Sequence, residues 1–137
     1  MSLKYINLLP TAEEIKKEFS LSSELAAKKA AFDKEVADAI TGKSNKFIVV
    51  IGPCSADNED AVLDYAHKLN KVRNQLSDKL IIIPRIYTNK PRTTGEGYKG
   101  MLHQPDPEKK PNMNDGIIAI RKLHLHVIEE TGMFTAD

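Results

Sequence analysis

An α/β fold built on a strand–helix–strand unit is what this 137-residue sequence predicts, and three observations carry that reading. Two short apolar runs, Phe47 to Ile51 and Leu80 to Ile83, have the length and the β-branched content of buried strands. Between them, Val62, Tyr65, Leu69, Val72 and Leu76 recur at helical spacing within a stretch from about Asn58 to Leu76. Each apolar run is followed by chemically capable residues: Gly52, Pro53, Cys54 and Ser55 after the first, and Arg85 with Lys90, Pro91, Arg92, Thr93 and Thr94 after the second. Strand, site, helix, strand, site is the layout of a βαβ unit, whose chemistry sits at the carboxyl ends of its parallel strands.

Taken in order, the elements are each justified locally. Thr11 stands three residues before Glu14, the capping-box spacing, and Ile15 and Phe19 follow at i,i+4, so a short helix runs to about Phe19. A second helix spans about Ser22 to Ile40, with Leu25, Phe32, Val36 and Ile40 on one stripe and Gly42 placed to stop it. The crossover helix begins near Asp57, Glu59 and Asp60, acids that suit the positive end of its dipole. Pro84 precedes Arg85 at the end of the second strand, and a proline there removes a ladder hydrogen bond, so a bulge or bend is expected. A long loop from Thr88 to about Met113 holds four of the seven prolines and three of the seven glycines; loops of that length are functional or disordered. Asn114 is the expected cap of a last helix through Ile117, Ile118, Leu123, Val127 and Ile128, closed by Gly132, and Met133 to Ala136 resembles the start of a third strand. No internal repeat or low-complexity segment is visible.

Composition narrows the function classes. The chain is 41% hydrophobic and 28% charged, ordinary for a globular protein, and is long enough for one modest domain. With 20 Lys+Arg against 19 Asp+Glu, no bulk field draws it to nucleic acid or anionic lipid, so any anion affinity is local. One cysteine excludes an internal disulfide and fits a reducing compartment; no apolar run is long enough to span a membrane and no signal peptide is evident, which makes the cytoplasm the default location.

The candidate site follows from residue types. Cys54 lies just beyond a strand, beside a proline that fixes the turn; it reads either as a thiolate ligand for a transition metal or as a buried structural cysteine. Lys90, Pro91, Arg92 and Thr93 join an ammonium, a rigid turn, a guanidinium fork and a hydroxyl, suited to holding a phosphate, although a solvated basic loop has the same composition. His124 and His126, two apart on one helix, point about 200° from each other and cannot share a metal. His67 and His103 read as surface residues. There is no P-loop and no GxGxxG segment, which disfavours an unrelated phosphate-binding domain.

The segments IGPCS, PRIYTNKPRTT and MNDGIIAIRKL, in this order and spacing, resemble type I 3-deoxy-D-arabino-heptulosonate 7-phosphate (DAHP) synthase, from Asn7 to the last residues. The resemblance implies a (β/α)8 TIM barrel of about 250 residues, so these 137 residues read as its amino-terminal part: residues 1–45 a helical extension, residues 46–137 the first strands and helices of an incomplete barrel with an open edge near Met133 to Ala136. It implies condensation of phosphoenolpyruvate with erythrose 4-phosphate, the first step of the shikimate pathway to aromatic amino acids. Arg85 and Lys90 match phosphoenolpyruvate contacts, Lys90, Pro91, Arg92 and Thr93 match the erythrose 4-phosphate cradle, and Cys54 matches one ligand of a divalent metal (Mn, Fe, Co or Zn type) that polarises the aldehyde. The other ligands, a His, a Glu and an Asp, come from later strands, so the metal site is incomplete and the isolated chain is expected to be inactive. A homo-oligomer and an aromatic amino acid effector acting through the extension are implied as well, although the sequence shows no effector site and the extension reads more simply as a helical lid over the barrel bottom. Lys99 and Gly100 match family positions without an assignable role; the Thr94 to Tyr98 loop is one residue longer than the common form, and Pro105 to Lys110 is more charged. A non-catalytic anion-binding or assembly module that keeps half the site is the alternative.

Overall fold

A computed structural model describes residues 7–90 and 97–137 and shows two helices, a strand, a helix, a strand and a final helix. Helix α1 (Ala12–Glu18) opens on the expected capping box: the Thr11 hydroxyl accepts from the Glu14 N–H at 3.2 Å, and the Glu14 carboxylate accepts from the Thr11 N–H at 2.7 Å. The Thr11 N–H foremost, and then the Thr11 hydroxyl donating to the same carboxylate at 2.9 Å, hold the Glu14 carboxyl below its ordinary pKa. Helix α2 (Ser23–Ile40) is capped by the Ser22 hydroxyl and followed by Gly42 at φ 73. Its stripe is only half-buried through Val36, and Ile40 is 72% exposed, because α2 meets the sheet chiefly along its outer strand, β1.

Strands β1 (Phe47–Ile51) and β2 (Leu80–Pro84) pair in parallel with unbroken register, Phe47 opposite Leu80 through Ile51 opposite Pro84. Helix α3 (Glu59–Leu76), capped by Asn58, makes the crossover between them. The bulge expected at Pro84 is absent. The Arg85 N–H reaches back to Ile51 at 2.8 Å, so in the alternating ladder the ring nitrogen of Pro84 faces away from β1 and no β1–β2 bond is lost. On that far side the Pro84 carbonyl accepts from the Ala136 N–H at 3.0 Å, and the Ile86 N–H donates to the Ala136 carbonyl at 2.8 Å. The third strand is therefore present as a single parallel bridge between Arg85 and Ala136.

Helix α4 (Met113–Thr131) starts earlier than expected. Asn112, not Asn114, is its cap: the Asn112 side-chain oxygen accepts from the N–H groups of Asn114 and Asp115, its amide donates to Asp115, and its carbonyl closes the first turn with Gly116. Gly132 ends the helix at φ 65, as the sequence predicts.

The core lies between α3, which packs on β2, and α4, which packs on α3. Ala56, Val62, Ala66, Ile86, Met101, Leu123 and Val127 form one buried cluster, and Met133 and Phe134 are also buried. Met101 belongs to the 88–113 loop, whose described part is tied down by Gln104 donating to Pro107 and Lys109. Gly116 is where loop and helix meet: a Cβ there would lie 1.9 Å from the Leu102 carbonyl oxygen. Gly116→Ala is thus expected to lower unfolding free energy by about 1–3 kcal/mol in a urea titration, the usual cost of overpacking against atoms that cannot rotate away.

The reading of β1 as a buried strand is corrected. Phe47 is 75% and Val50 51% exposed, because β1 is the outer strand of a two-stranded sheet. The amino-terminal arm is anchored on the outside of α4: Ile15 is buried, and the Arg121 guanidinium donates twice to the Phe19 carbonyl, at 2.9 and 2.7 Å. Phe32 of α2 also meets Phe134, with ring centroids 5.2 Å apart. Among the described residues no helix is long and apolar enough to cross a membrane.

Candidate functional site at the strand ends

Two loops leave the carboxyl ends of β1 and β2 side by side, and glycine makes that approach geometrically open. A Cβ on Gly52 would fall 1.9 Å from the Arg85 carbonyl oxygen, so only a residue without one lets Pro53 and Cys54 run beside Arg85. The Ala56 N–H then donates to the Tyr87 carbonyl at 2.8 Å, stitching the loops together.

Three of the site residues expected from sequence are brought together. The Arg85 guanidinium donates through Nη2 to the Pro53 carbonyl at 3.1 Å and lies over the Tyr87 ring at 4.6 Å from its centroid. Its Nε is buried with no hydrogen-bond partner among the described residues. The Lys90 ammonium sits 2.9 Å from the Cys54 sulfur. Cys54 is exposed, which removes the reading of it as a buried structural cysteine. Pro91, Arg92 and Thr93, with the expected extra residue of the 94–98 loop, lie outside or partly outside the described residues.

Lys99 and Gly100, which had no assignable role, acquire a structural one. The Lys90 N–H donates to the Lys99 carbonyl at 3.0 Å, and Gly100, at φ 100, packs so tightly that a Cβ would meet the Thr88 carbonyl oxygen at 2.2 Å. Thr88 and Asp137 were not singled out from sequence at all. Thr88 is 1% exposed, and its backbone N–H donates to Asp137 Oδ1 at 3.0 Å while its hydroxyl donates to Asp137 Oδ2. A contact between residues 49 apart leaves no periodic trace.

The histidines diverge as expected. His124 meets the Thr135 hydroxyl at 2.6 Å and lies 3.9 Å from Asp137, whereas His126 meets Glu59 and the exposed His67 pairs with Glu130. Burial pushes the His124 pKa below its ordinary 6.5, against the opposing pull of Asp137. A depressed native pKa means the unfolded chain binds the proton more tightly, so this group's contribution is lost as pH falls below about 6.5. His124→Gln is expected to flatten the decline of the melting temperature between pH 7 and 5; an unchanged slope would contradict the assignment.

Among the described residues no cluster of three His, Cys, Asp or Glu side chains is placed to hold a metal. A separate groove is lined by Glu59, Asp106, Lys109 and Asp115, and within it Lys109 pairs with Asp106 at 2.9 Å. The arrangement at the strand ends is different in kind: two cations and a thiol from adjacent parallel strands, held by backbone bonds and open to solvent.

Parallel strands joined by a crossover helix, with cations gathered beyond their carboxyl ends, define an α/β protein. Comparison with known proteins makes the class specific. The profile of the DAHP synthetase I family matches residues 17–134, and the chain belongs to that family. It is 38% identical over 128 residues to the Trp-sensitive phospho-2-dehydro-3-deoxyheptonate aldolase of Buchnera aphidicola subsp. Schizaphis graminum, covering 93% of this chain and 36% of that relative. To the Tyr-sensitive enzyme of Escherichia coli it is 34% identical over 121 residues, 88% of this chain and 34% of the relative. The solved phospho-2-dehydro-3-deoxyheptonate aldolase of Francisella tularensis superposes with a TM-score of 0.83 at 30% identity, over 95% of this chain and 38% of that one. The chain therefore spans about a third of the length of the relatives it matches.

Proposed function

We propose that this chain contributes the first strand-end loops of a (β/α)8-barrel DAHP synthase, in which C3 of phosphoenolpyruvate attacks the aldehyde carbon of erythrose 4-phosphate, water adds at C2 and phosphate leaves. The observation that carries the reading is the convergence of Arg85, Lys90 and Cys54 from adjacent parallel strand ends, with Lys90 Nζ 2.9 Å from the sulfur. In this reading residues 1–45 are the extension and residues 46–137 the barrel portion.

Arg85 presents a planar fork already braced by Pro53 and Tyr87, suited to a carboxylate or phosphate in two-point contact. Lys90 adds a point charge beside it, so together they hold the enol phosphate and stabilise charge as C3 bonds to the aldehyde. Pro91, Arg92 and Thr93 continue as the cradle for the tetrose phosphate. Cys54 offers one soft ligand to a divalent metal. A single thiol does not hold such an ion, so the described residues do not fit a complete metal site and none of these steps passes through one. A homo-oligomer in the cytoplasm, with an aromatic amino acid acting through the extension, completes the proposal; the names of the Buchnera and E. coli relatives carry such sensitivities.

The test uses two polypeptides. The 137-residue chain should bind phosphoenolpyruvate weakly and release no phosphate from it. A chimera in which it replaces the matching third of a full-length relative should release phosphate only when both substrates are present, and lose that activity to a chelator. Phosphate release without the tetrose would sink the reading. Loss of all turnover in a well-folded chimera would favour the alternative, a non-catalytic anion-binding or assembly module. Within the chimera, Arg92→Ala and Thr93→Ala should weaken the tetrose phosphate far more than phosphoenolpyruvate, each by the roughly 1.5–3 kcal/mol of a charge-assisted hydrogen bond. Equal losses for both substrates would contradict the cradle assignment.

A further inference from the structure

We propose that Asp137 is a positioning residue for Lys90, acting through Thr88; the inference rests on the reading of Lys90 as an anion-binding group. From Pro84 to Lys90 the chain leaves the sheet, and it is held by bonds from several separate segments. Ala136 pairs with Pro84 and Ile86, Ala56 holds the Tyr87 carbonyl, and Lys99 takes the Lys90 N–H. Between the last two ties comes Thr88, buried to 1% exposure, with both of its donors on one carboxylate, that of Asp137.

Where the Ala136, Ala56 and Lys99 ties run from backbone to backbone, this one ends on a carboxylate. A carboxylate taking two donors from a single residue fixes both position and orientation, and bonds to an ionised acceptor are about twice as strong as neutral ones. Asp137 follows directly on Ala136, which is bridged to Arg85, so the carboxylate is aimed by the sheet itself. On the far side of Thr88, Gly100 packs against the Thr88 carbonyl and the Lys90 nitrogen, leaving the segment no room to shift that way. Two residues beyond Thr88 stands Lys90, its ammonium 2.9 Å from Cys54. Removing the carboxylate frees the last part of the segment, and the Lys90 ammonium loses its place. His124, 3.9 Å from the same carboxylate and bonded to Thr135, flanks the tie from α4.

The experiment compares the wild-type 137-residue chain with Asp137→Ala, Thr88→Val, Thr88→Ser, Lys90→Ala and the Asp137→Ala/Lys90→Ala double variant. Two readouts are taken: the Kd for phosphoenolpyruvate by calorimetric or NMR titration, and the rate of iodoacetamide alkylation of Cys54, which needs no ligand and senses the neighbouring ammonium. Asp137→Ala and Thr88→Val are each expected to weaken binding on the order of tenfold, equivalent to about 1.4 kcal/mol. Thr88→Ser, which keeps the hydroxyl, should retain wild-type affinity. In the Lys90→Ala background Asp137→Ala should change binding no further, even where it lowers the melting temperature; a merely structural aspartate would weaken binding equally in both backgrounds, and that result would overturn the proposal. Wild-type affinity in Asp137→Ala would overturn it too. If the wild-type chain binds no phosphoenolpyruvate, the proposed function fails on its own, and alkylation decides the positioning role. Lys90→Ala, Asp137→Ala and Thr88→Val should then shift the rate alike while Thr88→Ser does not, and an unchanged rate in Lys90→Ala or Asp137→Ala overturns the assignment.

Discussion

Gly52→Ala is expected to damage stability and site together. The new Cβ would sit 1.9 Å from the Arg85 carbonyl oxygen, 2.8 Å from its carbon and 3.0 Å from the Arg85 Cβ. These are mostly backbone atoms, so no rotamer change relieves the clash. Relief requires the ends of β1 and β2 to part, which strains the 2.8 Å bonds from Arg85 N–H to Ile51 and from Ala56 N–H to Tyr87. Overpacking costs about 1–3 kcal/mol and occasionally more; with ladder bonds also disturbed, a loss at or above the top of that range is expected in urea unfolding. Gly42→Ala is the control. Gly42 has φ 73 but nothing within 4 Å of a Cβ, so only the left-handed backbone penalty applies, about 1–2 kcal/mol. A Gly52→Ala chain as stable as Gly42→Ala would show that the strand ends are not in contact as described.

Arg85→Ala should abolish measurable phosphoenolpyruvate binding while leaving the fold nearly intact. The guanidinium is braced by one bond to a neutral carbonyl and by the Tyr87 ring, contacts whose loss costs stability about 1–2 kcal/mol in all. Toward an anion it offers a fork, and losing two charge-assisted bonds of roughly 1.5–3 kcal/mol each lowers affinity by about a hundredfold or more. Arg85→Lys is expected to recover little, since a point ammonium on a flexible stem does not reproduce a planar, two-point donor. The measurement is a phosphoenolpyruvate titration at low and high salt beside a melting curve. Affinity within about threefold of wild type in Arg85→Ala would remove Arg85 from the binding site, by the same arithmetic.

The features determined by the sequence alone are those whose causes act over a few residues. Helical periods placed α2 and α3, a Thr and a Glu three apart placed the capping box, Gly132 closed α4, and two β-branched runs gave strands at their observed positions. The same short-range logic failed where two local signals competed. Asn112 and Asn114 are both able to cap, and the choice fell to Asn112 because its amide also reaches Asp115 while its carbonyl closes the turn on Gly116. That Cys54, Arg85 and Lys90 follow the strand ends was legible in the sequence, whereas residue type alone left the thiol and the basic loop each with two readings.

Tertiary structure decided what depends on neighbours far away in the chain. Pro84 keeps a regular strand because its missing donor lies on the side away from β1, a fact of sheet side and not of sequence. Phe47 and Val50 read as core by composition but lie exposed, because burial requires a neighbouring layer that no apolar run can announce. Lys90 meets Cys54 across 36 residues, Arg85 meets Pro53 across 32, and Thr88 meets Asp137 across 49. Hydrophobic period and capping chemistry act within about four residues along the chain, so they specify elements; only the closure of those long loops brings the charged groups to one place.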